Sequence, residues 1–198
     1  MTEQSNECKG FICRMWRALK SPSAKYSLGF LIVVVFAVSS VFWIGFHYSM
    51  DATNTEEFCI SCHEMENFVF SEYKETNHYS NRTGVRATCP DCHVPKEFGH
   101  KMVRKIKSTN EIWHKLTGSI STPEKYEAKR LELAERVWAN MMETDSRECR
   151  NCHNYTFMNM DKQDPMNAEI HAEGLEAGLT CIECHKGIAH KLPEGYEG

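Results

Sequence analysis

The sequence predicts a mainly α protein: a single N-terminal transmembrane helix, then a small helix-and-loop domain built from two duplicated halves. Three observations predict it. Ser27 to Phe46 is a run of twenty residues without a charge. The rest of the 198-residue chain shows apolar residues at helical spacing and no long alternating stretch. Finally, Cys-x-x-Cys-His occurs four times, at Cys59–His63, Cys89–His93, Cys149–His153 and Cys181–His185.

The organisation follows in chain order. Residues 1–26 form a cytoplasmic segment, residues 27–46 a signal-anchor helix, and residues 47–198 an outer domain. At about 1.5 Å per residue the apolar run spans a hydrocarbon core of about 30 Å. Lys9, Arg14, Arg17, Lys20 and Lys25 precede it, while Asp51, Glu56 and Glu57 follow. The positive-inside rule therefore leaves the N-terminus in the cytoplasm. Trp43 and Tyr48 sit where interfacial aromatics belong. The exit, Phe46-His47-Tyr48-Ser49-Met50, has no small-residue cleavage site, which favours a retained anchor over a signal peptide. A single-helix anchor in the lipid bilayer admits a monomer or a homodimer. Cys8 and Cys13 lie on the reducing side, outside any motif, and read as plain thiols. The net charge of −4 argues against nucleic acid.

Cys-x-x-Cys-His is the attachment signature of c-type haem: two thiols reach the porphyrin vinyl groups and the imidazole reaches the iron. Zinc also uses paired Cys-x-x-Cys, but it has no need of a histidine fixed after every second cysteine. A disulfide framework suits this spacing poorly. Four covalent haem c groups are therefore expected, held by Cys59, Cys62, Cys89, Cys92, Cys149, Cys152, Cys181 and Cys184. His63, His93, His153 and His185 are their first iron ligands. Such haems are attached outside the bacterial plasma membrane, which makes the domain periplasmic. Cofactor filling the interior also relaxes the need for a large side-chain core.

The domain reads as a repeat of a dihaem unit over about 55–118 and 145–198. Cys59 and Cys89 are 30 residues apart, and Cys149 and Cys181 are 32 apart. His78 precedes Cys89 by eleven residues and His171 precedes Cys181 by ten. His100 and His190 follow the second motif of each half, and Gly84 and Gly178 approach it. Helical patterns are expected over 95–117, with Phe98, Met102, Ile106, Ile112, Trp113 and Leu116, and from Thr122-Pro123-Glu124 to Met142. Short helices are expected over 64–77 and ahead of His171. His78, His171 and His190 recur within the repeat and are the best distal ligands, giving low-spin, low-potential haems. The first motif runs on as Cys62-His63-Glu64-Met65. Met65 reads either as a competing ligand for the iron, which would leave one haem face open or displaceable as a substrate-facing haem needs, or as ordinary packing against the haem.

In EEFCISCHEM, GVRATCPDCHVP, STPEKYEAKR, DSRECRNCH and TCIECHKGIAHKLP the chain resembles the NapC/NirT family of membrane-anchored tetrahaem cytochromes c, from Thr55 to Tyr196. The resemblance implies a quinol dehydrogenase of anaerobic respiration. It would take electrons from the membrane quinol pool, menaquinol or ubiquinol, and pass them to a periplasmic reductase. Nitrate reductase is the first choice, with nitrite reductase or several reductases behind it. An anchored electron relay without its own quinol site is the alternative. The resemblance places His78, His171 and His190 on distal positions and Met65 on the pattern of the quinol-side haem. It implies a crossed pairing, His78 on the fourth haem, His171 on the second and His190 on the third. Lys96, Lys101, Lys105 and Glu111 fall in the region associated with quinol. Lys96 and Lys105 are candidate donors to a quinone oxygen, and Glu111 is the candidate base. Family members of the nitrate system can carry His where this chain has Lys96, a departure that speaks against a fourth distal histidine at that spot and leaves His100 as a weak substitute.

Overall fold

The computed structural model describes residues 10–20 and 25–197, so Cys8 and Lys9 lie outside the described residues. It divides into two units, Met1–Met50 and Asp51–Gly198. In the first, helix α1 spans Phe11–Lys20 and α2 spans Leu28–Ala52, just past the boundary. The Ser27 hydroxyl accepts the Phe30 N–H at 3.3 Å and starts α2. The helix outlasts the apolar run of 27–46, because main-chain bonds continue through His47–Ala52 whatever the side-chain polarity. No residue of α2 is buried, and it is long and apolar enough to cross a membrane. Cys13 is disulfide-bonded, so it is not the plain thiol expected.

The second unit contains no strand among the described residues. Each Cys-x-x-Cys-His motif falls on its own short helix: α3 (Glu56–Ile60) reaches into the first, and α5 (Cys89–His93), α9 (Arg147–Arg150) and α11 (Cys181–Cys184) carry or begin the others. Between the first two, a π-helical turn spans Met65–Phe70 and runs into α4 (Ser71–Tyr73). The two halves use the same local chemistry. In α5 and α11 the residue before the first cysteine, Thr88 or Thr180, forms a capping box with an acid inside the motif, Asp91 or Glu183. Gly84 and Gly178 both take φ +72°, a left-handed turn that a Cβ would strain, on the approach to these caps.

The expected helix over 95–117 is two helices, α6 (Phe98–Lys107) and α7 (Thr109–Thr117), broken at Ser108, whose hydroxyl bonds the Lys105 carbonyl at 2.8 Å. The long helix α8 (Pro123–Glu143) begins at the Thr122 cap, and α10 (Pro165–Glu176) carries His171. The motif helices pack in sequence, α3 on α5 and α5 on α9. Ser146, fully buried at φ 47°, accepts the Ile182 N–H at 3.1 Å and ties α9 to α11. The four motifs are thus neighbours in chain order.

The side-chain core is small. Among the described residues Tyr73, Tyr126, Met141 and Ile182, with Pro95 and Pro193, are the buried apolar side chains. Tyr73 donates to the carbonyls of His78, at 2.9 Å, and Ala87, pinning the loop that carries His78. Burial pushes its phenol up to about 12, so it stays a donor at all ordinary pH. Tyr73→Phe removes the shared O–H, leaving the Ala87 carbonyl without this donor while the His78 carbonyl keeps the Ala87 N–H at 3.1 Å, and is expected to lower stability by about 1–3 kcal/mol, read by urea titration of the haem-loaded protein.

Candidate haem centres

Three imidazole pairs stand out. His78 faces His153 with ring centres 6.1 Å apart, His93 faces His190 at 6.3 Å, and His171 faces His185 at 5.9 Å. An imidazole nitrogen sits about 2.0–2.1 Å from a bound metal, so two imidazoles sharing one iron hold their ring centres roughly 6 Å apart. Each pair joins one motif histidine to one of the three histidines singled out by the repeat. The crossed pairing implied by resemblance is not what the fold brings together: His78 meets the third motif, His171 the fourth and His190 the second.

The environment favours the neutral, ligating form of His78, His93 and His190. Burial, with His190 and Arg104 nearby, takes His93 down to about 4. Burial also lowers His78, helped by His153, and lowers His190. The backbone of Ile188 opposes the shift at His78 and that of Val69 at His190, although neither Nδ1 reaches hydrogen-bond geometry. Each half therefore lends a main-chain group to the other half's histidine. The thiols are also in place. All eight motif cysteines are free. Around the fourth motif, Cys181, Cys184, His185 and His171 line a cavity of about 260 Å³ with Ile170 and Leu179. Thiols, two facing imidazoles and apolar walls suit a covalently held haem.

The first motif is different. Among the described residues, no imidazole faces the His63 ring. Its Nε2 donates to the Ser121 carbonyl at 3.3 Å, and its Nδ1 accepts from Lys115 Nζ at 3.1 Å. Lys115 also bonds the buried Glu64 at 2.6 Å. Burial alone would raise the Glu64 carboxyl, but the Lys115 ammonium holds it below the usual range. With both His63 nitrogens engaged, Met65, at the start of the π-helical turn, is the other donor the motif offers. Such irregular turns recur at functional sites.

Of the polar residues expected beside this motif, the structure gathers two. Lys105 Nζ donates to the Thr53 carbonyl at 2.5 Å and to its hydroxyl at 3.0 Å. Glu111 pairs with Arg104 at 2.7 Å, and Arg104 donates to the His93 carbonyl at 3.1 Å. The charges of Lys105 and Glu111 both reach the Cys59 thiol. Burial, together with Lys101 and Arg104, lowers the Lys105 pKa. Lys96 is exposed in the bend before α6 and His100 is exposed on α6, 4.0 Å from Glu97.

Sequence reasoning missed a clamp at the second centre. Arg130 forks onto Glu72 at 2.8 and 2.6 Å and donates to the Lys191 carbonyl at 2.6 Å, while Lys191 N–H donates to Glu72 at 3.0 Å. The signal was present: Arg130 lies four residues after Tyr126 and three before Leu133, on the face of α8 that reads as apolar.

A family model described as NapC/NirT cytochrome c family, N-terminal region, matches residues 21–195. The denitrification system component NirT of Stutzerimonas stutzeri is 58% identical over 177 residues, 89% of this chain and 88% of that protein. The cytochrome c-type protein NapC of Escherichia coli strain K12 is 50% identical over 190 residues, 96% of this chain and 94% of that protein. The cytochrome c-type protein TorC of the same strain is 43% identical over 186 residues, 93% of this chain but 47% of that protein. With its four attachment motifs and membrane-spanning helix, the chain belongs to the NapC/NirT cytochrome c family, whose members are membrane-anchored and pass electrons from quinol to periplasmic reductases.

Proposed function

We propose that this chain is itself a quinol dehydrogenase, with four covalent haem c groups and its quinol site at the first motif. The carrying observation is the inequality of the four motifs. Three have a facing imidazole and suit pure electron transfer, while the first has none and lies beside Lys105 and Glu111. His93 with His190, His153 with His78 and His185 with His171 would hold three irons. Met65 would hold the fourth, with His63 kept back by Ser121 and Lys115. The eight motif cysteines anchor the porphyrins. When bound, haem supplies iron that accepts one electron at a time.

The protein groups handle position and protons. Quinol oxidation yields quinone, two protons and two electrons. Two N–H groups of Lys105 are spent on Thr53, and an ammonium has three, so one remains to bind a quinone oxygen. Arg104 holds Glu111 but leaves it a carboxylate oxygen for a quinol proton. Glu111 is largely exposed and releases that proton to the surrounding water. With the domain on the periplasmic side, as the flanking charges favour, protons and electrons leave on the same side. Oxidation is then electrically neutral, and liposomes holding the protein and a soluble oxidant should build no quinol-driven potential.

Nitrate reductase remains the first choice of acceptor, on the similarity to NapC along almost the whole chain. The greater identity to NirT makes a denitrification reductase the second reading. The deciding experiment is anaerobic reduction of the full-length haem-loaded protein by a menaquinol analogue, followed at the haem α-band. Lys105→Ala and Glu111→Ala should each slow reduction by about 10- to 100-fold, the usual scale for a positioned acid–base group, and Lys96→Ala should change it little. Reduction by dithionite but not by quinol would leave only an anchored relay.

A further inference from the structure

We infer that α6 and α7 together form a second membrane contact, lying in the lipid interface with their apolar side chains among the acyl chains and Lys101 and Lys107 on anionic headgroups. Six large apolar residues of this pair are largely open to solvent: Phe98 at 53%, Val103 at 52%, Ile106 at 65%, Ile112 at 60%, Trp113 at 63% and Leu116 at 76%. Val103 and Ile106 are three apart on α6, and Ile112 and Leu116 are four apart on α7 with Trp113 beside them, so each helix presents a stripe. Exposed apolar stripes of this kind on a polar domain mark an interaction site. The neighbouring α8 behaves differently, burying Tyr126, Arg130 and Met141.

Charge selects the occupant. Residues 98–117 hold five basic side chains against Glu111 alone, in a chain whose net charge is −4. Arg104, Lys105 and Lys115 are engaged by Glu111, Thr53 and Glu64, which leaves Lys101 and Lys107 for headgroups. A basic stretch on an otherwise acidic protein, interleaved with Trp and aliphatic residues, has the composition of a helix lying on an anionic membrane. The anchoring geometry agrees. Lys105 grips the main chain of Thr53, the residue that directly follows the membrane-spanning α2 in the chain. Membrane depth for this pair needs no quinol site, so the inference stands apart from the function proposed above.

The test uses the full-length haem-loaded protein in liposomes of phosphatidylcholine and phosphatidylglycerol, with a photoactivatable diazirine on the acyl chain. Adducts are mapped by mass spectrometry of peptides. Adducts are expected on 98–117 as well as on α2. Ile112→Glu with Leu116→Glu should cut the former by roughly tenfold, since each tenfold needs only about 1.4 kcal/mol, while the α2 adducts and the haem spectrum stay unchanged. Replacing phosphatidylglycerol with phosphatidylcholine should also lower the yield on 98–117. Adducts confined to α2 in the wild-type protein would overturn the inference, as would cross-links from 98–117 to a second copy in place of lipid. Because the wild-type map decides the matter, a misfolded variant cannot rescue it.

Discussion

Replacing Arg130 with alanine is expected to cost about 3–5 kcal/mol, the scale for breaking a buried ion pair from one side, and to release His190 from its place opposite His93. The Arg130 side chain is 8% exposed and that of Glu72 is 12% exposed, so the carboxylate left behind would have little water. Its remaining partner, the Lys191 N–H, is next to His190, and Arg130 also holds the Lys191 carbonyl. The clamp therefore fixes both main-chain polar groups of the residue after His190, the proposed distal ligand of the second motif. Two readouts are expected to move together: the urea midpoint falls, and one haem gains high-spin character. Arg130→Lys should recover only part of either, because an ammonium cannot make the forked contact. The effect should also depend on pH. Burial alone would raise the Glu72 carboxyl, but Arg130 and the Lys191 N–H hold it below its ordinary value. A depressed carboxylate contributes stability above its unfolded pKa of about 4.3 and loses it as pH falls through the lower folded value. The gap between wild type and Arg130→Ala should therefore close in acid. A gap that persisted unchanged below that range would remove the ion pair as its cause.

What could be read from the chain divides along physical lines. Attachment chemistry is local: the spacing of two thiols and a histidine is set within five residues, and so is the capping box that places α5 and α11. The apolar run of α2 and the Thr122-Pro123 start of α8 are local signals of the same kind. Pairing of the histidines is not local. The repeat makes His78 the counterpart of His171 and His190 the counterpart of His100, but it cannot say which half each one faces. In the fold, His78 and His190 cross to the other half, reaching the third and second motifs. Strict twofold symmetry would then pair His171 with His63 and His100 with His185. The chain makes neither pair. His171 stays within its own half and takes His185, His63 is held by Ser121 and Lys115, and His100 is left exposed. The symmetry breaks at the first motif, where sequence had already shown Met65 as an odd donor. Lys115 and Glu64 were not legible for a related reason: they are 51 residues apart, and only packing makes them partners.

Removing both His78 and His153 is expected to leave no more high-spin haem than removing either one alone. The two rings face each other at 6.1 Å, so both substitutions fall on the same iron and the double variant adds nothing to the count. His78→Ala with His185→Ala is the contrasting case. His185 faces His171, so the two losses fall on different irons and two haems should turn high-spin. The crossed arrangement that resemblance implied predicts the reverse, with His78 and His185 on one iron and His78 and His153 on two. Electron paramagnetic resonance of the oxidised, haem-loaded protein counts high-spin centres directly, and the cysteine attachments keep each haem in the chain when a ligand is lost. The four variants also separate ligation from general damage. A merely structural loss of His78 would disturb every centre alike, whereas a shared iron makes the His78 and His153 effects redundant and the His78 and His185 effects additive. Two high-spin haems in the His78→Ala, His153→Ala protein would dismiss the pairing drawn from the fold.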